Sequence, residues 1–304
     1  MNYEIAIIGA GPAGCSSAIY AGRGGASVVV FDKGAGGGLA VNSPRIENYP
    51  GFDSITGVEL MEKMKEQASR YAETRFYEEV RDIRVGKEIE VITNKSNYVV
   101  KAVIICTGTE PRKLNVRGEN EFVGRGVSYC ATCDGFFFKG KKVAVIGGGN
   151  SAVIEAIYLS NLGIDVTLIH RRDELRAEKI IEREAKEKGV NFIWNSVVEE
   201  ILGKEKVEGI RIRNVKTNEI KEMSIDGIFV SIGEEPNNEL AKKIGLALDE
   251  HGFIVADDMG KTSIDRIFAA GDITGGVRQI VVACSQGAKA AISAMKAIGK
   301  RSIW

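Results

Sequence analysis

Short, largely apolar runs recur along the chain, several of them followed by a glycine turn or a stretch with helical periodicity. Tyr3-Glu4-Ile5-Ala6-Ile7-Ile8 opens the series. Ser27–Phe31, Val103–Cys106, Val143–Ile146, Asp165–Ile169, Gly227–Ile232 and Ile267–Ala270 continue it. Runs this short, bounded by turn residues, predict strands buried in a sheet. Helical periodicity predicts helices over 15–23, 57–72, from about 150 to 162, over 240–245 and over 281–298. Further strands are predicted around 80–85, 88–93, 98–101, 191–194, 206–213 and 253–255. Alternating strands and helices point to an α/β fold.

Composition narrows the class without naming an activity. A chain of 304 residues predicts two domains, each with its own core. The 41 basic and 41 acidic residues cancel, so no global field recruits nucleic acid or an anionic membrane. Five cysteines in so long a chain are not a disulfide scaffold. The opening residues enter a strand pattern with no basic and apolar leader, and no apolar run is long enough to span a bilayer. The expected compartment is the cytoplasm.

Two of the strand-to-helix turns carry a glycine fingerprint. The first is Gly9-Ala10-Gly11-Pro12-Ala13-Gly14. Its first glycine allows the tight turn, its second lets backbone approach a pyrophosphate, and its third lets helix pack on strand. The following strand ends at Asp32, about 20 residues on, where an acid accepts hydrogen bonds from a ribose diol and repels a 2′-phosphate. The second fingerprint is Gly147-Gly148-Gly149-Asn150-Ser151-Ala152. Here the strand ends in His170-Arg171-Arg172, with Arg176 one helical turn further on. Guanidinium groups in that place can clamp a 2′-phosphate. The first turn is therefore expected to hold an unphosphorylated ADP moiety such as that of FAD, and the second NADP. Thr107-Gly108 and Gly271-Asp272, each at the end of an apolar strand, and Arg278-Gln279-Ile280 at the start of the last helix are further places for a cofactor to meet backbone.

Between the fingerprints lies Cys130-Ala131-Thr132-Cys133-Asp134. The spacing lets two thiols close a small ring, and Asp134 can hold or deliver the proton that thiol–disulfide exchange needs. The competing reading is half a zinc site. Zinc needs four ligands, and the only histidines, His170 and His251, lie far from the pair in sequence. The redox reading is preferred and no metal is expected. Cys15, Cys106 and Cys284 stand singly among small or apolar residues and are expected to be inert. Phe136-Phe137-Phe138 is expected to contribute to the core, with one or two rings available for docking.

These pieces resemble the low-molecular-weight thioredoxin reductase family over essentially the whole chain. The likeness rests on GAGPAG (9–14), ENYPG (47–51), CTG (106–108), GRGVSYCATCDGFF (124–137), GGGNSA (147–152), HRRDELRAEKI (170–180), IGEEPN (232–237), AAGD (269–272) and RQ (278–279). The resemblance implies two Rossmann-like three-layer domains, the second inserted in the first. A discontinuous FAD domain would comprise 1–111 and 237–304, and an NADPH domain carrying the cysteine pair would comprise 112–236. It further implies a homodimer in which NADPH reduces FAD, FAD reduces the Cys130–Cys133 disulfide, and the dithiol reduces thioredoxin or a thioredoxin-like protein. Cys133 would face the flavin, Asp134 would be the acid/base, and Cys130 would attack the partner. FAD contacts are implied at Gly9, Gly11, Pro12, Ala13, Gly14, Asp32, Lys33, Gly38, Asn48, Thr107, Gly108, Gly271, Asp272, Arg278, Gln279 and Ile280. NADPH contacts are implied at Gly147, Gly149, Asn150, Ser151, His170, Arg171, Arg172 and Arg176. Arg125 and one or more of Phe136 and Phe137 would meet the protein partner, and the segments 109–111 and 233–237 would be hinges between the domains. The chain departs from the family at Gly38, where a Gln is usual, and at Cys106, where Ala is usual. The alternative is a related flavoprotein with a different disulfide acceptor or a non-nicotinamide donor.

Overall fold

The computed structural model describes residues 3–43 and 46–300. The ends of the expected FAD domain, 1 and 304, lie outside the described residues. Two compact units are present: Met1–Glu110 with Glu235–Trp304, and Pro111–Glu234. Each is an α/β unit built on a parallel sheet.

The chain begins with β1 (Ile5–Ile8), α1 (Pro12–Arg23) and β2 (Val28–Phe31). α2 (Gly57–Ser69) and β3 (Glu73–Arg75) follow, then an antiparallel meander of β4 (Val80–Val85), β5 (Ile89–Thr93) and β6 (Asn97–Val100), then β7 (Ala102–Ile105). α2 starts with a capping box: Thr56 accepts from the Glu59 amide and Glu59 reaches back to the Thr56 amide. The chain leaves through β8 (Thr109–Pro111).

The inserted unit runs β9 (Val127–Ser128), α3 (Ala131–Asp134), β10 (Lys142–Gly147), α4 (Asn150–Asn161), β11 (Asp165–Ile169), α5 (Lys179–Glu187) and β12 (Asn191–Ile193). A meander of β13 (Ser196–Gly203), β14 (Val207–Asn214) and β15 (Ile220–Ser224) precedes β16 (Gly227–Ser231). The return passes through β17 (Glu234–Pro236), which pairs with β8, then α6 (Glu239–Lys243), β18 (Ile267–Ala269) and α7 (Ile280–Ala297).

The sheet of the outer unit has the order β18-β7-β1-β2-β3 and that of the insert β12-β11-β10-β16-β9. In each, the strand before the glycine turn is central and pairs in parallel with the strand after the helix: Ile5 with Val28, and Val143 with Val166. β1, β2 and β7 are buried along their whole length, which explains runs without polar alternation. One face of the outer sheet is covered by α1 and α7, which touch through small residues: a Cβ on Gly287 would lie 2.2 Å from the Ala13 carbonyl oxygen. Ser17 seals that contact by donating to the Gly287 carbonyl at 2.9 Å. The other face packs on the β4–β6 meander around Phe31, Ile83, Val91 and Ile105.

One expectation is corrected. Residues 253–255 form no strand; Ile254 makes only an isolated bridge to Leu248, because Asp249 turns the chain and caps the His251 and Phe253 amides. The glycine loop after Asp32 is tied down: the Gly37 amide donates to the Ala10 carbonyl at 2.9 Å and Lys65 donates to the Ala35 carbonyl at 3.2 Å.

Candidate active site

The two fingerprints fold into the same local object. At the first turn, Gly9 has φ +104°, and a Cβ there would fall 2.3 Å from the Cys106 carbonyl oxygen. A Cβ on Gly14 would fall 1.8 Å from the Gly9 carbonyl oxygen, so the third glycine is a packing requirement. The middle glycine differs. A Cβ on Gly11 meets nothing closer than Gly38 Cα at 3.8 Å. In the second turn Gly147 is crowded by the Ser231 carbonyl oxygen at 2.4 Å, whereas a Cβ on Gly149 meets nothing within 4 Å. Gly11 and Gly149 are also the N-caps of α1 and α4, and neither helix has a side-chain cap. Each turn thus offers free helix-start amides beside a position kept clear of side chain, which fits a pyrophosphate.

The strand ends carry the difference. Asp32 is held by two backbone amides: Ala10 donates to Oδ2 and Gly34 to Oδ1, both at 2.8 Å. The acid is therefore fixed beside the first turn with lone pairs left for a ribose diol. In the insert, Arg171, Arg172 and Arg176 are exposed and make no ion pair among the described residues. Arg176 does not lie on a helix, as its spacing suggested. Residues 171–178 form a loop before α5, held by Arg176 and Ala177 amides donating to the Gly148 carbonyl at 2.7 and 3.2 Å. Those bonds bring the third arginine to the glycine turn. His170 is buried against Gly148, whose added Cβ would lie 2.2 Å from the ring, and its Nε2 has no partner among the described residues. Burial, then the charges of Arg176, Arg171 and Arg172, hold the imidazole below its ordinary pKa, despite an opposing backbone contact at Gly147. Asn150 grips Glu178 from both ends of its amide at 2.9 and 3.0 Å and so locks the start of α4 to the loop before α5.

The other expected FAD contacts converge on the outer unit. Asn48 donates to Gln279 at 3.0 Å across 231 residues of sequence. Gly271 donates to Gln286 at 2.9 Å. The Thr107–Gly108 turn is held by Asn237: the Thr107 hydroxyl donates to the Asn237 carbonyl at 2.8 Å, and the Asn237 side chain and amide donate to the Thr107 and Gly108 carbonyls at 3.0 Å. Gln286 was not singled out by sequence; Asn237 closes the IGEEPN segment, but its hold on the Thr107–Gly108 turn was not foreseen. Lys33 pairs with Glu110 at 3.3 Å on the surface. Gly38 has φ +58°, a conformation L side chains rarely adopt, which accounts locally for glycine there. The residues present fit an FAD.

In the insert, Cys130 and Cys133 are joined as a disulfide with their Cα atoms 5.3 Å apart. Cys130 is the N-cap of α3, and the Cys133 and Asp134 amides donate to its carbonyl at 3.2 and 3.1 Å. Asp134 Oδ2 accepts from the Ser128 hydroxyl at 2.6 Å, while Oδ1 is buried with no partner among the described residues. Burial raises the Asp134 carboxyl, and the Ser128 bond offsets part of that rise. Upstream, buried Glu119 accepts from the Leu114 and Asn115 amides and the Tyr129 hydroxyl at 2.8, 2.7 and 3.0 Å, anchoring the segment that carries the cysteines. The phenylalanines divide as expected: Phe138 packs on Phe229 with centroids 5.3 Å apart, and Phe136 is 57% exposed. Arg125 is exposed and bonded to the Glu121 and Glu205 carbonyls.

Burial pushes both Cys15 and Cys106 up to about 12, so neither thiol is a nucleophile at neutral pH. Among the described residues no group of three metal-ligating side chains is present, and no helix is long and apolar enough to cross a membrane.

Comparison with known proteins decides among the activities such a site allows. The pyridine nucleotide-disulphide oxidoreductase family matches residues 3–287. A thioredoxin reductase of Listeria monocytogenes is 43% identical over 298 residues, covering 97% of this chain and 93% of that protein. One of Treponema pallidum is 44% identical, covering 96% of each. The chain belongs to the thioredoxin reductase family. The crystal structure of the Streptococcus pyogenes thioredoxin reductase superposes with a TM-score of 0.91 at 42% identity, over 97% of this chain and 98% of that one. As a thioredoxin reductase the chain is an FAD- and NADPH-dependent disulfide oxidoreductase of two Rossmann-like units.

Proposed function

We propose that the chain reduces thioredoxin or a thioredoxin-like protein with NADPH, through the Cys130–Cys133 pair. The observation that carries this reading is a closed Cys130–Cys133 disulfide next to a buried carboxyl, in a chain with two glycine turns of opposite strand-end charge. Bound FAD supplies a two-electron relay from NADPH to the disulfide. In the outer unit Gly11 and the α1 amides take the FAD pyrophosphate, Asp32 its ribose, and the Asn48–Gln279 and Thr107–Asn237 pairs shape the rest of the pocket. In the insert Gly149 and the α4 amides take the NADPH pyrophosphate, and Arg171, Arg172 and Arg176 its 2′-phosphate. Lys33 and Ser151 lie beside these two sites in sequence.

Cys133 takes the electron pair, Cys130 attacks the partner disulfide, and Asp134 gives and recovers the proton. The insert swings about the β8 and β17 segments between the two steps. Arg125 and one or more of Phe136 and Phe137 receive the protein partner. The enzyme works as a homodimer in the cytoplasm. A different acceptor or donor is not favoured, because the relatives are thioredoxin reductases and the three arginines are intact. Cys130→Ser tests the roles: thioredoxin reduction is lost, while the flavin is still bleached by NADPH. A Cys130→Ser enzyme that still turned over thioredoxin would refute them.

A further inference from the structure

We propose that Ser128 is a positioning residue that couples the Asp134 carboxyl to the backbone of Cys130, leaving Oδ1 as the oxygen that carries the proton. The proposal rests on the reading of Asp134 as the acid/base partner of the pair.

Ser128 is the last residue of β9 and is only 5% exposed. Its hydroxyl lies 2.6 Å from Asp134 Oδ2 and 3.3 Å from the Cys130 carbonyl. A hydroxyl has one hydrogen, and the shorter, charge-assisted contact takes it. The same oxygen accepts the Cys130 amide at 3.1 Å. One atom therefore spans from the carboxyl to the peptide of the attacking cysteine. The bond occupies Oδ2 and fixes the carboxyl rotamer, so Oδ1, buried and without a partner among the described residues, is the proton site.

The balance of the step requires such a site. Two electrons from NADPH break the Cys130–Cys133 bond and leave two sulfur anions. Asp134 transfers its proton from Oδ1 to one of them and becomes a carboxylate. When Cys130 attacks a protein disulfide, a mixed disulfide forms and one partner sulfur leaves as a thiolate. The carboxylate takes the proton back from Cys133, which re-forms the Cys130–Cys133 bond and expels the second partner thiolate. Both partner thiolates are protonated by solvent. Ser128 favours the ionised form by donating to it, against the burial that favours the neutral form. No charged group is among the influences on Asp134. From α4, which packs on α3, the side chains nearest Gly135 are Leu159, Leu162 and Tyr158. Tyr129 on the flanking segment turns to Glu119 instead.

The test uses the FAD-loaded enzyme with Ser128→Ala, Ser128→Thr, Ser128→Val and Asp134→Asn. Two quantities are read: thioredoxin reduction across pH, and the protonated-carboxyl infrared band that Asp134→Asn removes. Ser128→Ala is expected to move the midpoint of that band to higher pH and to slow thioredoxin reduction at neutral pH roughly tenfold. Ser128→Thr restores both. Should Ser128→Ala not fold, the Thr and Val variants, alike in shape and differing in the hydroxyl, show the same contrast. A midpoint unmoved in Ala or Val, with only the melting temperature lowered, would overturn the role of Ser128 while leaving Asp134 in place. An Asp134→Asn enzyme with the wild-type rate and pH profile would remove the acid/base reading itself, and the proposal with it.

Discussion

The two glycine turns, one in each unit, share a backbone and differ in charge. In both, the first glycine is packed against main chain and the middle one faces open space: an added Cβ meets nothing closer than 3.8 Å at Gly11 and nothing within 4 Å at Gly149. In both, the helix begins without a side-chain cap. The strand ends then diverge. One presents a single carboxylate pinned by the Ala10 and Gly34 amides; the other presents three guanidinium groups on a loop pinned to the Gly148 carbonyl. The shared backbone suits a dinucleotide pyrophosphate, and on the proposed reading the strand-end side chains tell one dinucleotide from the other. Backbone hydrogen bonds hold the Asp32 carboxylate itself at one end and the main chain at Arg176 and Ala177 at the other.

The comparison breaks most visibly at the glycines. Gly14→Ala forces a Cβ to within 1.8 Å of the Gly9 carbonyl oxygen, so helix and strand must separate. We expect a loss of about 3 kcal/mol or more and failure to retain flavin, measured by denaturant unfolding and by absorbance after gel filtration. Gly149→Ala, with nothing within 4 Å, is expected to change stability by no more than about 0.5 kcal/mol, yet to raise the KM for NADPH roughly tenfold. Equal stability losses in the two variants would show that the middle glycine is a packing residue too.

Arg171→Ala with Arg172→Ala sharpens the contrast at the strand end. Loss of charge-assisted bonds to a 2′-phosphate should raise the KM for NADPH roughly 10- to 100-fold and leave that for NADH nearly unchanged. Equal effects on both donors would remove the phosphate argument. Asp32→Asn keeps the shape but not the charge; faster flavin dissociation, by roughly tenfold, is expected in dilution followed by fluorescence. The smallest effect belongs to Cys106→Ala. The thiol is buried and its pKa is raised to about 12, so turnover should be unchanged, with about 1 kcal/mol or less lost in unfolding.

The parts legible in the sequence were those written in local spacing. Buried strands were visible because β1, β7 and β10 are apolar on both faces, and the fingerprints because the glycine spacing follows directly on such a strand. The Cys130–Cys133 closure follows from a separation of three residues. Contacts between distant segments were not legible. Gln286 holds Gly271 and Glu119 anchors Tyr129 with no periodicity or motif to mark them, and the IGEEPN segment marks Asn237 without showing that it holds Thr107 across 130 residues. Strands β13 and β15 were missed because their exposed faces are polar and charged, so no apolar run marks them. Arg176 was placed on a helix from spacing alone, whereas two amide bonds to Gly148 hold it in a loop.

The central claim is that one turn selects FAD, the other NADPH, and that both serve a single electron path. Its most direct test is anaerobic addition of NADPH, and separately of NADH, to the purified yellow protein, with flavin absorbance followed in time. Rapid bleaching by NADPH and slow bleaching by NADH at equal concentration is the predicted result. Equal rates with the two donors, or no bleaching by either while dithionite still reduces the flavin, would contradict it.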